Sequence, residues 1–488
     1  MIPVVTPEEM RAIDAAASAP LDELVRRAGF HVAHHAIDLL GGSYGRRAVV
    51  LAGGGNNGRD GRDAADRLER RGVGVTVFEA GELPERLPPC DVVIDAAYGT
   101  GFRVDERRPW APPAVPDGAA VLAVDIPSGV DGLTGRAVAG ALRADRTITF
   151  QALKPGLLFA DGPVLAGDVR VADIGLDTSH IACHLVESVD VARWWPRRER
   201  SAHKWHGAVK VIAGSDAMPG AAELCTAAAM RAGSGLVSLS APGCRPSTRS
   251  EVVQRQIPTG EFADDALSDI GRFGALVIGP GLGRRDETLL AARECIEKAP
   301  LPVVIDGDGI FAASWSAEGA EPLLAARELP TVVTPHDGEF GVLTGQGPAD
   351  DRIAAARGAA ARFDATVLLK GPTTVIAAPP ARRDRSLVDL ASVASPDDLS
   401  WASDRPSPVL LVDVGDQRLA TAGSGDVLSG LLGAVLAADV DPTLGAAAAA
   451  WVHGDCARRG PELGLVAGDL VDLLPEALSE LAGGPESS

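Results

Sequence analysis

Residues 48–61 read AVVLAGGGNNGRDG. The apolar run Ala48–Leu51 has the length and composition of a buried strand, and it runs into Gly53, Gly54 and Gly55, where the chain turns. A helix over Ala64–Arg71 and a strand over Val73–Phe78 follow, so the segment predicts a β-loop-α-β unit. Upstream, residues 7–40 alternate apolar and charged positions at helical spacing. Downstream come strands Val92–Ile94, ending at Asp95, Val121–Val124, ending at Asp125, and Thr147–Phe150. Strands alternating with helices imply a parallel sheet with its ligand crevice at the carboxyl ends of the strands. Asp95 and Asp125 stand at such ends.

A second series begins after WWPRRERSAHKWHG (194–207). Strand Val209–Ala213, loop GSDAMPG (214–220), helix Ala221–Ala232 and strand Leu236–Leu239 open it. Further strands run into GPGLG (279–283), DGDGI (306–310), PHDGEF (335–340) and KGPTT (370–374), and AGSGD (422–426) opens a long helix. The expected architecture is α/β in two domains, a Rossmann-like three-layer αβα sandwich over 1–195 and a second αβα domain over 196–488. Residues 379–408, rich in Pro, Ser and Asp, read as a flexible surface insertion, and the terminal GGPESS (483–488) as a disordered end.

Composition narrows the function classes. The 488 residues carry 46 Lys+Arg against 66 Asp+Glu, a net charge of −20, with most of the excess acid after residue 200. That balance disfavours nucleic acid, whose binders need a basic face. No apolar run approaches the roughly 20 residues of a membrane span. Residues 1–20, with Glu8, Glu9 and Asp14, lack the basic and apolar regions of an export signal, and the six cysteines form no C-x-x-C pair. A cytoplasmic protein is expected, and a homo-oligomer is compatible with it.

Gly53-x-Gly55-x-x-Gly58, with Glu79 about 20 residues on, formally meets the dinucleotide fingerprint. A plain βα turn accounts for the glycines equally well. Neither explains Asn56, Asn57 and Asp60, which add acceptors where a phosphate wants donors; such groups suit a cation or a polar ligand. Together with DAAYGTGFRVD (95–105), DIPSG (125–129) and TFQALKPGL (149–157), the loop resembles the NAD(P)H-hydrate epimerase domain family over about residues 5–190. The resemblance implies a potassium ion on Asn57, Asp95 and Ser128. It also implies a hydrated nicotinamide nucleotide bound by Asn56, Asn57, Gly58, Arg59 and Asp60, by Gly99, Thr100, Gly101, Phe102, Arg103, Val104 and Asp105, and by Asp125. Asp125 is the candidate proton-transfer group, since a partly desolvated carboxylate at a strand end can have a pKa raised toward neutrality. The family's NNGGDG has Arg59 in place of a glycine here; if that position needs positive φ, arginine is strained there.

In AGSGD, Gly423, Ser424 and Gly425 at a helix start aim N–H groups and the positive dipole end at an anion, and Asp426 follows to take a proton from a hydroxyl beside it. That pattern serves phosphoryl transfer to an alcohol. It does not fit G-x-S-x-G, because Ala422 and Asp426 flank Ser424 at two places. With HKWHG (203–207), GSDAMPGAA (214–222), GPGLG, TPHDGEF (334–340), KGPTT and AGSGDVLSG (422–430), it resembles the ribokinase-like ADP/ATP-dependent NAD(P)H-hydrate dehydratase family over about residues 195–485. By that resemblance Lys370, Gly371, Pro372, Thr373, Thr374 and Gly425 contact the adenine nucleotide. Ala221, Gly281, His336 and Asp426 contact the hydrated substrate, with Asp426 as base. ADP is the expected co-substrate. Attraction for two anionic nucleotides in an acidic domain must come from the loops, a helix end, Lys370 and a magnesium ion. The family's D-A-D-A-L appears as Asp306-Gly307-Asp308-Gly309-Ile310, with both aspartates kept. The implied protein epimerises the R and S hydrates and dehydrates the S form. The rival is a ribokinase-like small-molecule kinase with a silent N-terminal binding module.

Three other features carry less. His31, His34 and His35 share one helix face at a metal-compatible spacing but have no H-E-x-x-H pattern, so a solvated or half-buried face is expected. The WWPRRER stretch reads as an interdomain packing segment rather than a nucleic-acid patch. Lysine is scarce, which singles out Lys154, Lys204 and Lys370.

Overall fold

A computed structural model describes residues 1–104, 110–380 and 407–483. Asp105, most of the 379–408 insertion and the last five residues of GGPESS lie outside the described residues. The chain divides into two compact units, Ile2–Cys183 and His184–Ser488, the latter together with Met1.

The first unit is built on six parallel strands: Arg47–Ala52, Gly74–Glu79, Val92–Ala96, Ala120–Val124, Arg146–Phe150 and Asp168–Ala172. Across the sheet they stand second, first, third, fourth, fifth, sixth. Val92–Ala96 is buried throughout, as a strand covered on both faces must be, whereas Gly74–Glu79 at the edge is largely exposed. The helix Leu21–Leu40 buries Leu24, Val25, Ala28, Val32, Ala33 and Ala36, one apolar stripe at helical spacing, and packs on the helix Asn56–Glu69. The chain leaves the first strand on one side and returns on the other, so the switch point lies between the ends of Arg47–Ala52 and Val92–Ala96. Gly53–Gly55 and Ala97–Thr100 follow those two ends.

The sheet of the second unit runs from the edge strand Val253–Ile257 through Val237–Pro242, Val209–Ile212, Ala275–Ile278, Val303–Ile305, Thr331–Val333, Thr366–Leu369 and Thr374–Ala377 to Val409–Val412, beyond which Cys183–Leu185 adds a further strand. It is parallel up to Thr366–Leu369. Thr374–Ala377 is antiparallel to both neighbours, because the turn Lys370–Thr373 is too short for a crossover. The strands at 253–257, 374–377 and 409–412 were not part of the sequence reading. The switch point lies between Val209–Ile212 and Ala275–Ile278. There the loops that follow the two strands are joined by the Gly214 N–H donating to Pro280 O at 2.8 Å and Ser215 Oγ to Gly281 O at 2.8 Å.

The units part at 183/184 rather than at 195, because the helix Ser188–Trp194 buries Val191 and Trp194 in the second unit's core. The stretch after it is tied to the same unit: Arg198 donates to the carbonyls of Gly233 and Ser234, and Arg197 to that of Ala482. Among the described residues no helix is long and apolar enough to cross a membrane.

Candidate active sites in the two units

In the first unit a cavity of about 750 Å³ opens at the switch point. Leu21, Leu24, Phe150 and Ile174 give it an apolar wall, and Asn56, Asn57, Asp60, Asp125 and Lys154 a polar one. The helix expected from Ala64 begins instead at Asn56, so the NNGRDG stretch is its first turns. Asn56, Asn57 and Asp60 stand on the cavity side, whereas Gly58 and Arg59 do not line it. Gly58 is pressed against Gly53, with no room for a side chain, and the Arg59 guanidinium pairs with Asp22 at 2.6 Å. Arg59 has no positive φ, so the expected strain does not arise. Gly99, Thr100, Gly101, Phe102 and Arg103 line the cavity, and Val104 does not. Glu79 pairs with Arg62 on the surface.

Beneath the cavity Asp95 is fully buried. Its Oδ1 accepts from Ser128 Oγ at 2.6 Å and its Oδ2 from Ser128 N–H at 2.8 Å, and burial raises its pKa against those bonds. Asn57 Nδ2 donates to Tyr98 O at 2.8 Å, and Tyr98 N–H to Ser128 Oγ at 2.9 Å. Asn57 Oδ1 is buried without a hydrogen-bond partner. A buried amide oxygen is costly unless something satisfies it. This orphan stands in one bonded network with a carboxylate, a hydroxyl and a carbonyl, and that all-oxygen donor set fits a hard cation.

Asp125 lies at the end of Ala120–Val124 in a left-handed conformation, φ 69°. Its Oδ2 accepts from Thr100 N–H at 2.8 Å, and its Oδ1 from Thr149 Oγ1 at 3.1 Å, with Lys154 Nζ 2.8 Å away. A side chain on Gly99 would come within 2.9 Å of Asp125 Oδ2, so only glycine lets this loop close over it. Asp60 is pushed up to about 8 by burial, reinforced by Asp125 and Asp63. It is therefore protonated in the folded protein at neutral pH, whereas in the unfolded chain it ionises near 4. Stability from this group is complete below pH 4 and is lost as pH rises toward 8, at ~1.4 kcal/mol per pH unit. Asp60→Asn escapes that loss. In denaturant melts of the full chain the variant should be more stable than the parent at pH 9 by a few kcal/mol, and close to it at pH 4. An equal difference at both pH values would contradict the buried acid.

In the second unit the helix Ser424–Ala437 starts after Gly423, whose φ of 89° demands glycine. Ser424 Oγ is spent on Leu419 O at 2.8 Å. Asp426 stands in the first turn, its pKa pushed up to about 7 by burial and by the Asp306 carboxylate, with Lys370 opposing. Asp306 is the hub. It accepts from Thr334 Oγ1 at 2.7 Å, Ser429 Oγ at 2.8 Å and Lys370 Nζ at 2.9 Å. Burial disfavours its charge, but Lys370 and the two hydroxyls outweigh burial and hold it below the usual carboxylate range. Lys370 also faces Glu339 at 3.4 Å, and the two acids hold it above its ordinary value despite burial.

Glu339 accepts the His336 N–H at 3.0 Å, while His336 Nδ1 caps the helix Asp337–Thr344. Arg352 grips Asp337 with both terminal nitrogens and reaches Lys370 O at 2.9 Å, tying the His336 turn to KGPTT. Gly425 lies against Lys370 and Asp306, and Gly281 against Ala221. Thr373 is buried, and Pro372 is exposed. The structure thus gathers Lys370, Gly425 and Asp426 around Asp306, with His336 joined to them through Glu339. Asp308 is bound to Gly283 N–H at 2.8 Å and Arg284 at 2.7 Å. The sequence reading noted Asp306 but gave it no role and missed Arg352, whose partners lie 15 and 18 residues away. His34 stacks on Phe30, and His35 meets Arg146 at 3.3 Å.

Two switch-point sites, one with an oxygen cradle around an orphaned amide oxygen and one with a glycine-led helix start beside a carboxylate raised to about 7, define a two-centre α/β enzyme. The chain matches the family described as NAD(P)H-hydrate dehydratase over residues 209–391 and 401–479, and that described as YjeF-related protein N-terminus over 21–88 and 78–156. It is 37% identical over 462 residues to the bifunctional NAD(P)H-hydrate repair enzyme of Mycobacterium tuberculosis strain H37Rv, covering 88% of each chain. To that of Moorella thermoacetica it is 31% identical, covering 98% of this chain and 97% of that one. The chain belongs to the family of bifunctional NAD(P)H-hydrate repair enzymes. Among solved structures, the ADP/ATP-dependent NAD(P)H-hydrate dehydratase of Bacillus subtilis is 27% identical and covers 60% of this chain and 97% of its own, with a TM-score of 0.47.

Proposed function

We propose that the first unit interconverts the R and S hydrates of NADH and NADPH and that the second dehydrates the S form with ADP, releasing AMP and phosphate, in the cytoplasm. The observation that supports this best is Asp426: a half-buried carboxylate pushed up to about 7 in the first turn of a helix that starts at a glycine-rich loop. A base poised near neutrality is matched to removing a hydroxyl proton.

In the second unit Asp426 takes the proton of the ring C6 hydroxyl as that oxygen attacks the terminal phosphorus of ADP. The Gly425 N–H and the positive end of the helix dipole meet the charge that builds on the phosphoryl group, Ser424 N–H being directed to Thr421 O at 3.4 Å. Phosphate is a better leaving group than hydroxide. It departs as the ring nitrogen pushes, and loss of the C5 proton restores the reduced ring. Gly281 and Ala221 border the substrate, and Lys370–Thr374 the nucleotide. Magnesium holds one or two carboxylates plus substrate phosphates and keeps several waters. The acids facing Lys370 fit that pattern, and the ion would neutralise phosphate charge.

In the first unit, the hydroxyl at C6 sits beside the ring nitrogen. Such a carbon inverts when water leaves and returns on the opposite face, and each direction needs a proton moved at that oxygen. Asp125 is assigned this transfer, Asn56, Asp60 and the 99–103 loop the binding. Potassium fits Asn57, Asp95 and Ser128, where it would satisfy the orphaned Asn57 Oδ1. The test is to mix the full chain with an equal mixture of R and S hydrates of NADH plus ADP. Reduced-nicotinamide absorbance should return to near the full amount. Recovery stopping at half would remove the epimerase, and none with either ADP or ATP would remove the proposal.

A further inference from the structure

Lys154 caps the short turn Pro155–Leu157 and is 1% exposed, yet it borders the first unit's cavity. Its Nζ donates to Thr149 Oγ1 at 2.8 Å, Phe150 O at 3.0 Å and Ala152 O at 3.2 Å, and sits 2.8 Å from Asp125 Oδ1. An ammonium has three protons, and the three hydrogen bonds take them all, so none remains for a substrate. Whatever Lys154 does for the reaction it does through Asp125.

The bonding around that carboxylate is lopsided. Oδ1 accepts from the Thr149 hydroxyl, which itself accepts a hydrogen bond from Lys154, and it also lies 2.8 Å from the Lys154 ammonium in an ion pair. Oδ2 accepts a single bond, from Thr100 N–H on the cavity-lining loop, and keeps one lone pair. The backbone adds to this aim, because Asp125 adopts a φ of 69°, which aspartate tolerates but does not favour and which persists only where neighbours hold it.

We infer that Lys154 is a positioning residue for epimerisation: with Thr149 it locks Oδ1 of Asp125, leaving Oδ2 as the oxygen presented to the hydrated ring. This rests on the assignment of proton transfer to Asp125 made above.

A double-mutant cycle on the full chain tests it. Lys154→Met should lower kcat for R-to-S conversion by about 10- to 100-fold, the loss that follows from a reacting group displaced by about 1 Å, with KM within about twofold. Lys154→Arg should recover part of that loss. On the Asp125→Asn background Lys154→Met should change the residual rate less than about twofold, because the group it aims is gone. Should Lys154→Met fail to fold by circular dichroism, Thr149→Val removes the other Oδ1 donor, and the same non-additivity is expected with a loss of about 3- to 10-fold. Equal losses on both backgrounds, or a Lys154→Met enzyme with parental kcat, would overturn the inference and leave Asp125 standing. Full epimerisation by Asp125→Asn alone would instead overturn the assignment beneath it.

Discussion

Asp426→Asn should abolish nearly all return of reduced nicotinamide from the S hydrate and ADP, a fall of about 10²- to 10⁴-fold in kcat, the usual contribution of a positioned general base. Asparagine keeps the shape and the first-turn position, so KM for the hydrate and for ADP should move little. The pH dependence separates a base from a mere contact. Asp426 must be unprotonated to accept a proton, so kcat/KM in the parent should rise with pH through about 7 and level off above it. The variant's residual rate should show no such limb. Asp306→Asn removes the buried charge that, after burial itself, does most to raise Asp426, and should carry the rising limb to lower pH. The same variant loosens Lys370 and Ser429, so its kcat should also fall. A parent profile flat from pH 5 to 9, or an Asp426→Asn enzyme with parental kcat, would exclude the role.

Asp125→Asn should be the second large loss, about 10²- to 10⁴-fold in R-to-S conversion, while dehydration of pure S hydrate stays at the parental rate. The described residues of the two sites belong to separate compact units, each with its own switch point. With an equal mixture of the R and S hydrates the variant should therefore stop near half recovery, except for the slow uncatalysed interconversion. The asparagine can still accept from Thr100 N–H, but it has lost the charge that Lys154 and Thr149 surround. A buried lysine without its counter-ion costs stability as well, so a melt of the variant belongs with the assay. A parallel loss of dehydration would mean that the two centres are coupled.

The variants differ in how visible their targets are in the sequence. AGSGD and DIPSG end predicted strands or open predicted helices, so Asp426 and Asp125 could be named from local pattern. Arg59 is a counter-example: its residue type stood out, but whether it was strained depended on where the helix began, and Asn56 starts it. Residues 184–195 likewise read as the tail of the first domain until Val191 and Trp194 were found in the second core.

Two α/β series and the Gly-rich loops at their strand ends are legible locally, because hydrophobic period and turn chemistry are written over stretches of a few residues. The ionisation and orientation of the acids, by contrast, come from tertiary packing. Ser429 reaches Asp306 across 123 residues, Lys370 reaches it across 64, and Thr149 meets Asp125 across 24. Charge and aim depend on burial and on neighbours within a few ångströms, and those neighbours are fixed by how the strands are ordered in the sheet, which no local spacing records.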